Sequence, residues 1–168
     1  MMVIHDFQID FYIIRGGILM DTSISKTTVD VLNKQIADWN VLFVKLHNYH
    51  WYVKGSDFFT LHAKFEELYN EAILHIDVLA ERVLIIGGKP IATMREYLDA
   101  SGIEEANQRA TSKEMVQDIV HNFNYLIEEL KNGMEITTQE SDFVTHDILS
   151  AIRKNLSKHI WMLNAYLS

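Results

Sequence analysis

Apolar positions recur along most of the chain at alternating intervals of three and four residues. Val29, Leu32, Ile36, Trp39, Phe43, Leu46 and His50 fall on one side of an α-helix. Thr27 with Asp30 three residues on has the form of a capping box, which starts that helix. Lys54-Gly55-Ser56 ends it, and Asp57 is placed to cap the next. The second stripe runs through Leu61, Phe65, Leu68, Ala72, Ile76, Leu79, Val83 and Ile86, until Gly87-Gly88 stops it and Pro90 prevents its resumption. Residues 89–110 form a long connection in which Met94–Ala100 can be helical. Thr111 with Glu114 caps a third long helix bearing Val116, Val120, Phe123, Ile127 and Leu130, which Asn132-Gly133 weakens near its end. A fourth runs from about Asp142 to Tyr166, with Val144, Ile148, Ile152, Leu156, His159 and Leu163 inward. Short first and last loops make antiparallel neighbours, while the long middle connection crosses the bundle. The pattern predicts an all-α fold, a ferritin-like four-helix bundle with a short helix on its crossover.

Composition agrees. The chain has 168 residues, enough for one domain with a sizeable core, and its single Pro and 7 Gly argue against many-turned β architectures. It has no Cys, which excludes a disulfide framework and any thiolate metal site. A net charge of −8 argues against binding to the phosphate backbone of nucleic acids as the main activity. The opening residues MMVIHDFQIDFYIIRGGILM read differently: apolar, but interrupted by Asp6 and Asp10. Without a basic start they make a poor signal peptide, and their apolar runs are too short to span a bilayer. We divide the chain into an N-terminal extension or arm, 1–22, and a bundle, 23–168. Met20 can serve as an alternative start, or the stretch can pack on a neighbour. The expected setting is the cytoplasm, with no membrane association.

Candidate chemistry concentrates in His50, His62, Glu66, Asp77 and Glu81. His50 closes an apolar stripe where an aliphatic residue would be expected. His62 with Glu66, and Asp77 with Glu81, are i,i+4 pairs whose side chains stand one above the other. Imidazole and carboxylate without thiolate suit Fe(II) or Mn(II), with zinc an alternative. From Glu66 to Asp77 the helix turns by only about 20° but rises about 16 Å. Both pairs share one face, yet they cannot hold one metal within one chain. An intrachain di-iron bundle would use Glu-x-x-His motifs, and the sequence contains none. A twofold dimer with antiparallel second helices would set His62 and Glu66 opposite the other chain's Asp77 and Glu81, twice over. Tyr69, Ile73, Ala80 and Leu84 would supply the apolar contact. The competing reading is a solvated face on which the carboxylates pair with Lys64, Lys54 or Arg82.

The run from His47 to Met94, HNYHWYVKGSDFFTLHAKFEELYNEAILHIDVLAERVLIIGGKPIATM, resembles the Dps-like miniferritins, as does KHIWML at Lys158–Leu163. The likeness is greatest to the Gram-positive type known as general stress protein or non-haem iron-containing ferritin, and it extends from about Val31 through the last helix. It implies a hollow dodecamer with an iron-oxidising centre between twofold-related subunits. By motif position the ligands fall on His50, His62, Asp77 and Glu81, with Glu66 where relatives often carry Asp. His50 with the other chain's Asp77 and Glu81 would hold the tighter of two irons per centre, and His62 with Glu66 the weaker. The implied activity is oxidation of Fe(II), preferably by hydrogen peroxide, with Fe(III) mineral stored in the cage and DNA and cell protected from oxidative damage. Trp51 beside His50 would be either a redox neighbour of the iron or an aromatic anchor of the dimer. Asp142 and Asp147 match positions lining a pore for incoming iron, although Asp142 serves equally as a helix cap. Some relatives compact DNA through lysine-rich tails. Here residues 1–20 carry only Arg15 as a base and the chain ends without a basic extension, so DNA binding is not expected. A non-catalytic helical interaction module is the remaining alternative.

Overall fold

The computed structural model describes residues 27–107 and 109–168. Among them are five helices and no strand: α1 Thr28–Tyr52, α2 Phe58–Ile85, α3 Met94–Ala100, α4 Ser112–Gln139 and α5 Phe143–Leu167. The predicted arm, 1–22, lies outside the described residues. The capping boxes at Thr27 and Thr111 form as the sequence suggests, each threonine accepting from the amide three residues on while that residue's carboxylate accepts from the threonine amide. A third box, Thr93 with Glu96, starts α3. Asp57 occupies the cap position of α2 but makes no cap hydrogen bond. Burial and the neighbouring Asp57 carboxylate together hold the Tyr166 phenol, at the far end of the chain, above its ordinary value. Gly87 ends α2 at φ +80°, which lets the Gly88 amide reach back to the Val83 carbonyl at 2.8 Å.

α1 pairs with α2 and α4 with α5, and α1 also packs against α3 and α4. The core between them holds Leu32, Ile36, Leu42, Leu46, Phe65, Leu79, Ile119, Phe123, Leu126 and Leu156, all essentially sealed from solvent. Each such side chain contributes about 1.5–3 kcal/mol through removal of apolar surface from water. Asp38, fully buried, fastens the crossover to the bundle. It accepts from Lys34 at 2.8 Å, the Ser101 hydroxyl at 3.0 Å and the Gly102 amide at 2.7 Å.

Asn132-Gly133, the expected weak point near the end of α4, lies within it, and the helix continues to Gln139. A Cβ at Gly133 would lie 2.6 Å from Val31 Cγ1 and 3.1 Å from Leu149 Cδ1, so the glycine lets side chains of α1 and α5 pack directly on α4 there. In α5 the inward row is Thr145, Leu149, Ile152, Leu156, His159 and Leu163, whereas Val144 is 60% exposed and Ile148 only partly buried. The expected row took three successive steps of four, which drift about 40° each around a helix of 100° per residue. Thr145 holds the inward place because its hydroxyl, buried, meets Asp142 and Arg82.

Candidate metal centre

His50 lies in the last turn of α1 and His62 near the start of α2, joined by a five-residue turn. The two imidazoles stack with centroids 3.7 Å apart and planes 22° from parallel. His50 Nδ1 lies 2.8 Å from the His62 carbonyl oxygen, and His62 Nδ1 lies 2.8 Å from the His50 carbonyl oxygen. A carbonyl only accepts, so each Nδ1 carries a hydrogen, and in the neutral ring Nε2 is then the atom with the lone pair. This reciprocal clasp is the outer-shell arrangement that orients a ligating histidine. Phe58 stacks on the outer side of His62 at 4.8 Å.

Glu66 stands one turn beyond His62 and is exposed. Burial, together with the neighbouring Glu66 carboxylate, holds the Tyr69 phenol above its ordinary range. Asp77 and Glu81 are exposed further along α2. Glu66, Asp77 and Glu81 have no ion-pair partner among the described residues. Two of the cations that could have paired with them are engaged elsewhere: Lys64 with Glu67 at 2.8 Å, Arg82 with Asp142 at 2.7 Å. Among the described residues of one chain, no three His, Asp or Glu side chains are gathered so that they could hold a metal. The structure thus brings His50 and His62 together and leaves Asp77 and Glu81 apart from them. Ile73, between these groups, and Leu84, just beyond Glu81, expose 50% and 60% of their surface.

The ferritin-like domain family matches residues 29–168. The chain is 56% identical over 144 residues to DNA protection during starvation protein 2 of Bacillus anthracis, spanning 86% of this chain and 99% of that one. It is 54% identical over 143 residues to general stress protein 20U of Bacillus subtilis, spanning 85% and 99%. The chain belongs to the Dps branch of the ferritin-like family. A crystal structure of a Dps protein from Bacillus brevis superposes with a TM-score of 0.85 at 51% identity, covering 89% of this chain and all of that one. Dps from Staphylococcus aureus gives 0.84 at 42%, covering 86% and 99%. Membership in this iron-storage and DNA-protection family fits the helical architecture, and no described helix is long and apolar enough to cross a membrane.

A second histidine cluster, whose partners sequence spacing did not reveal, lies on the seam between α2 and α5. Glu71 accepts from His159 Nε2 at 2.7 Å and from His75 Nε2 at 3.1 Å. These two hydrogen bonds, His159 first, hold the Glu71 carboxyl well below the usual carboxylate range. Lys64 Nζ lies 3.3 Å from His159 Nδ1. An ammonium only donates, so His159 accepts at Nδ1 and carries its hydrogen on Nε2, aimed at Glu71. Here the histidine presents a proton where the first cluster presents a lone pair. The available signal was the position of His159 in an apolar stripe, which marks a buried polar group needing a partner.

The two pore candidates diverge. Asp142 caps α5 through the Thr145 amide at 3.0 Å and pairs with Arg82. Burial pushes its carboxyl up, but Thr145 and Arg82 outweigh that and hold it below its ordinary value. Asp147 keeps a side chain 87% exposed, 3.6 Å from His146 Nδ1. Trp51 is 67% exposed in the single chain.

Proposed function

We propose that the chain stores and detoxifies iron, oxidising Fe(II) with hydrogen peroxide at centres shared between twofold-related subunits of a hollow dodecamer. The carrying observation is the His50–His62 clasp. It leaves two fixed Nε2 lone pairs on the face that also carries three carboxylates without cationic partners. On this reading His50 with the other chain's Asp77 and Glu81 binds one Fe(II). His62 and Glu66 bind the second, more loosely. Each iron gives one electron; with two protons, peroxide becomes two waters and no hydroxyl radical leaves the site. Clamping the two ions and the oxidant together makes the two-electron route outrun single-electron chemistry. Fe(II) enters the cage past Asp147, and the Fe(III) formed hydrolyses and mineralises inside.

Protection of DNA follows from removing iron and peroxide together rather than from touching DNA. Twelve copies of a chain at −8 carry about −96, which opposes a polyanion at ordinary salt. The cytoplasm, where iron and DNA meet, is the setting this reading requires.

Peroxide-driven Fe(II) oxidation by wild type and by Asp77→Ala, with assembly mass measured on both, tests it. The variant is expected to keep the shell and lose at least about tenfold in rate at low iron, as loss of a metal ligand does. Featureless, unsaturable Fe(II) binding by the wild type would favour a non-catalytic helical module instead.

A further inference from the structure

α2 is tied to its two neighbours in different ways. Its backbone packs closely along α1 but approaches α5 at few points. Long polar side chains span that second gap. Lys64 Nζ lies 3.3 Å from His159 Nδ1, and Glu71 accepts from His159 Nε2 at 2.7 Å. Arg82 donates to the Thr145 hydroxyl at 2.8 Å and to Asp142 at 2.7 Å. Glu71 also accepts from His75 Nε2 at 3.1 Å, and the His75 ring lies 4.7 Å from that of Trp39 on α1. One carboxylate therefore links α2 to α5 directly and to α1 through a ring. Its place along the helix matters. The pair His62 and Glu81 and the pair Glu66 and Asp77 are both centred between residues 71 and 72. Two α2 helices that pair antiparallel through these groups have their twofold at that level. Glu71 stands there, on the flank of α2 that faces α5 and not on the one that carries the candidate ligands.

We propose that Glu71 is a positioning residue for the inter-subunit centre: by holding His159 and His75 it sets where α2 lies along its own axis, and so whether the ligands of two chains meet. This rests on the ferroxidase reading above. The twofold amplifies small errors. A slide of α2 within each chain moves His62 one way and the other chain's Glu81 the opposite way, so their separation changes by twice the slide. A binding constellation tolerates misplacement of only about 0.5 Å, and a slide of half that distance uses it up. Apolar packing on α1 resists separation but is non-directional, so it does little to oppose sliding. Hydrogen bonds to a charged carboxylate fix both distance and direction. At the level of the twofold a single tie governs the two ligand pairs alike. Arg82, the other tie to α5, stands beside Glu81 and governs the carboxylate end alone.

The test reads Co(II), a spectroscopic substitute for Fe(II), on the assembled protein. Wild type is expected to bind it saturably, with visible d–d bands set by its imidazole and carboxylate ligands. Glu71→Gln keeps the size of the side chain and removes its charge. It is expected to form shells of wild-type mass, to bind Co(II) about tenfold more weakly, as loss of a group that holds ligands in place does, and to show displaced bands. His159→Gln should do the same. The double variant should be no worse than either alone, because the two residues form one tie. Asp118→Asn is the control. It disturbs the Lys45 and Tyr49 contacts, at 2.9 and 2.8 Å, on the α1–α4 side of the bundle. It should lower the unfolding temperature and leave Co(II) affinity and bands as in wild type. Wild-type bands and affinity in Glu71→Gln, or equal losses in Asp118→Asn, overturn the proposal, because the tie would then serve stability alone. Failure of both Glu71→Gln and His159→Gln to assemble overturns it too, by making the tie a requirement of the fold. Absence of saturable Co(II) binding by wild type would instead overturn the ferroxidase reading on which this one depends.

Discussion

At the residue scale, hydrogen-bond partners decide what a histidine can do. His50 and His62 face carbonyls at Nδ1 and so offer lone pairs at Nε2; His159 faces an ammonium at Nδ1 and so offers a proton. The His159–Glu71–His75 contacts therefore act as a strut between α2 and α5, and they predict a pH-dependent stability. The folded state holds the Glu71 carboxyl below its unfolded value of 4.5, so its contribution is fully present above that pH and declines as acid approaches the lower, folded value. Glu71→Gln is expected to cost about 1–3 kcal/mol at pH 7, by removing a charged acceptor from two donors. The gap between variant and wild type should narrow in denaturant titrations at pH 4 and below. A penalty independent of pH would mean that the carboxylate's charge contributes nothing. The sequence made the candidate ligands legible because i,i+4 spacing and a histidine ending an apolar stripe are local signals. The clasp was not legible, since each of its hydrogen bonds crosses between two helices.

At the element scale, what sequence could read were the ends of helices. Thr27 and Thr111 carry their whole cap within four residues, so pattern and structure agree. Where a third helix intervenes, local signals mislead. Gly133 reads as a weak point near the end of α4, yet its meaning lies in Val31 and Leu149 on other helices. In isolation Gly133→Ala would favour α4 by about 1 kcal/mol. Against that, a methyl 2.6 Å from Val31 Cγ1 forces apart a close-packed seam, at about 1–3 kcal/mol. We expect net destabilisation in thermal or chemical unfolding, largely relieved in the double variant Gly133→Ala, Val31→Ala relative to Val31→Ala alone. Destabilisation that persists undiminished in that background would show the strain to lie with Leu149 or the backbone. The register error in α5 has the same origin: Val144 and Thr145 differ little by local pattern, and Arg82 of α2 selects the latter.

At the scale of the whole molecule, the question is whether α2 completes its site with a second copy. One chain puts its histidines at one end of the α2 face and Asp77 and Glu81 at the other, about 22 Å along the axis from His62 to Asp77, with Ile73 uncovered between them and Leu84 uncovered just beyond. An isologous contact makes each chain give histidines to one centre and carboxylates to the other. This arrangement makes a prediction that no intrachain site shares. A chain carrying His50→Ala and His62→Ala lacks one half of every centre, and a chain carrying Asp77→Ala and Glu81→Ala lacks the other. Assembled separately, both should fail to oxidise Fe(II) at low iron. Co-assembled at equal amounts, half of the dimers are mixed, and each mixed dimer rebuilds one intact centre of its two. About a quarter of wild-type centres should therefore return, seen as recovered Fe(II) binding stoichiometry and oxidation amplitude with a wild-type rate per centre. Pure preparations mixed after assembly, without subunit exchange, should stay inactive. If co-assembly restores nothing while both variants form shells of normal mass, the histidines and carboxylates of α2 do not meet across a twofold.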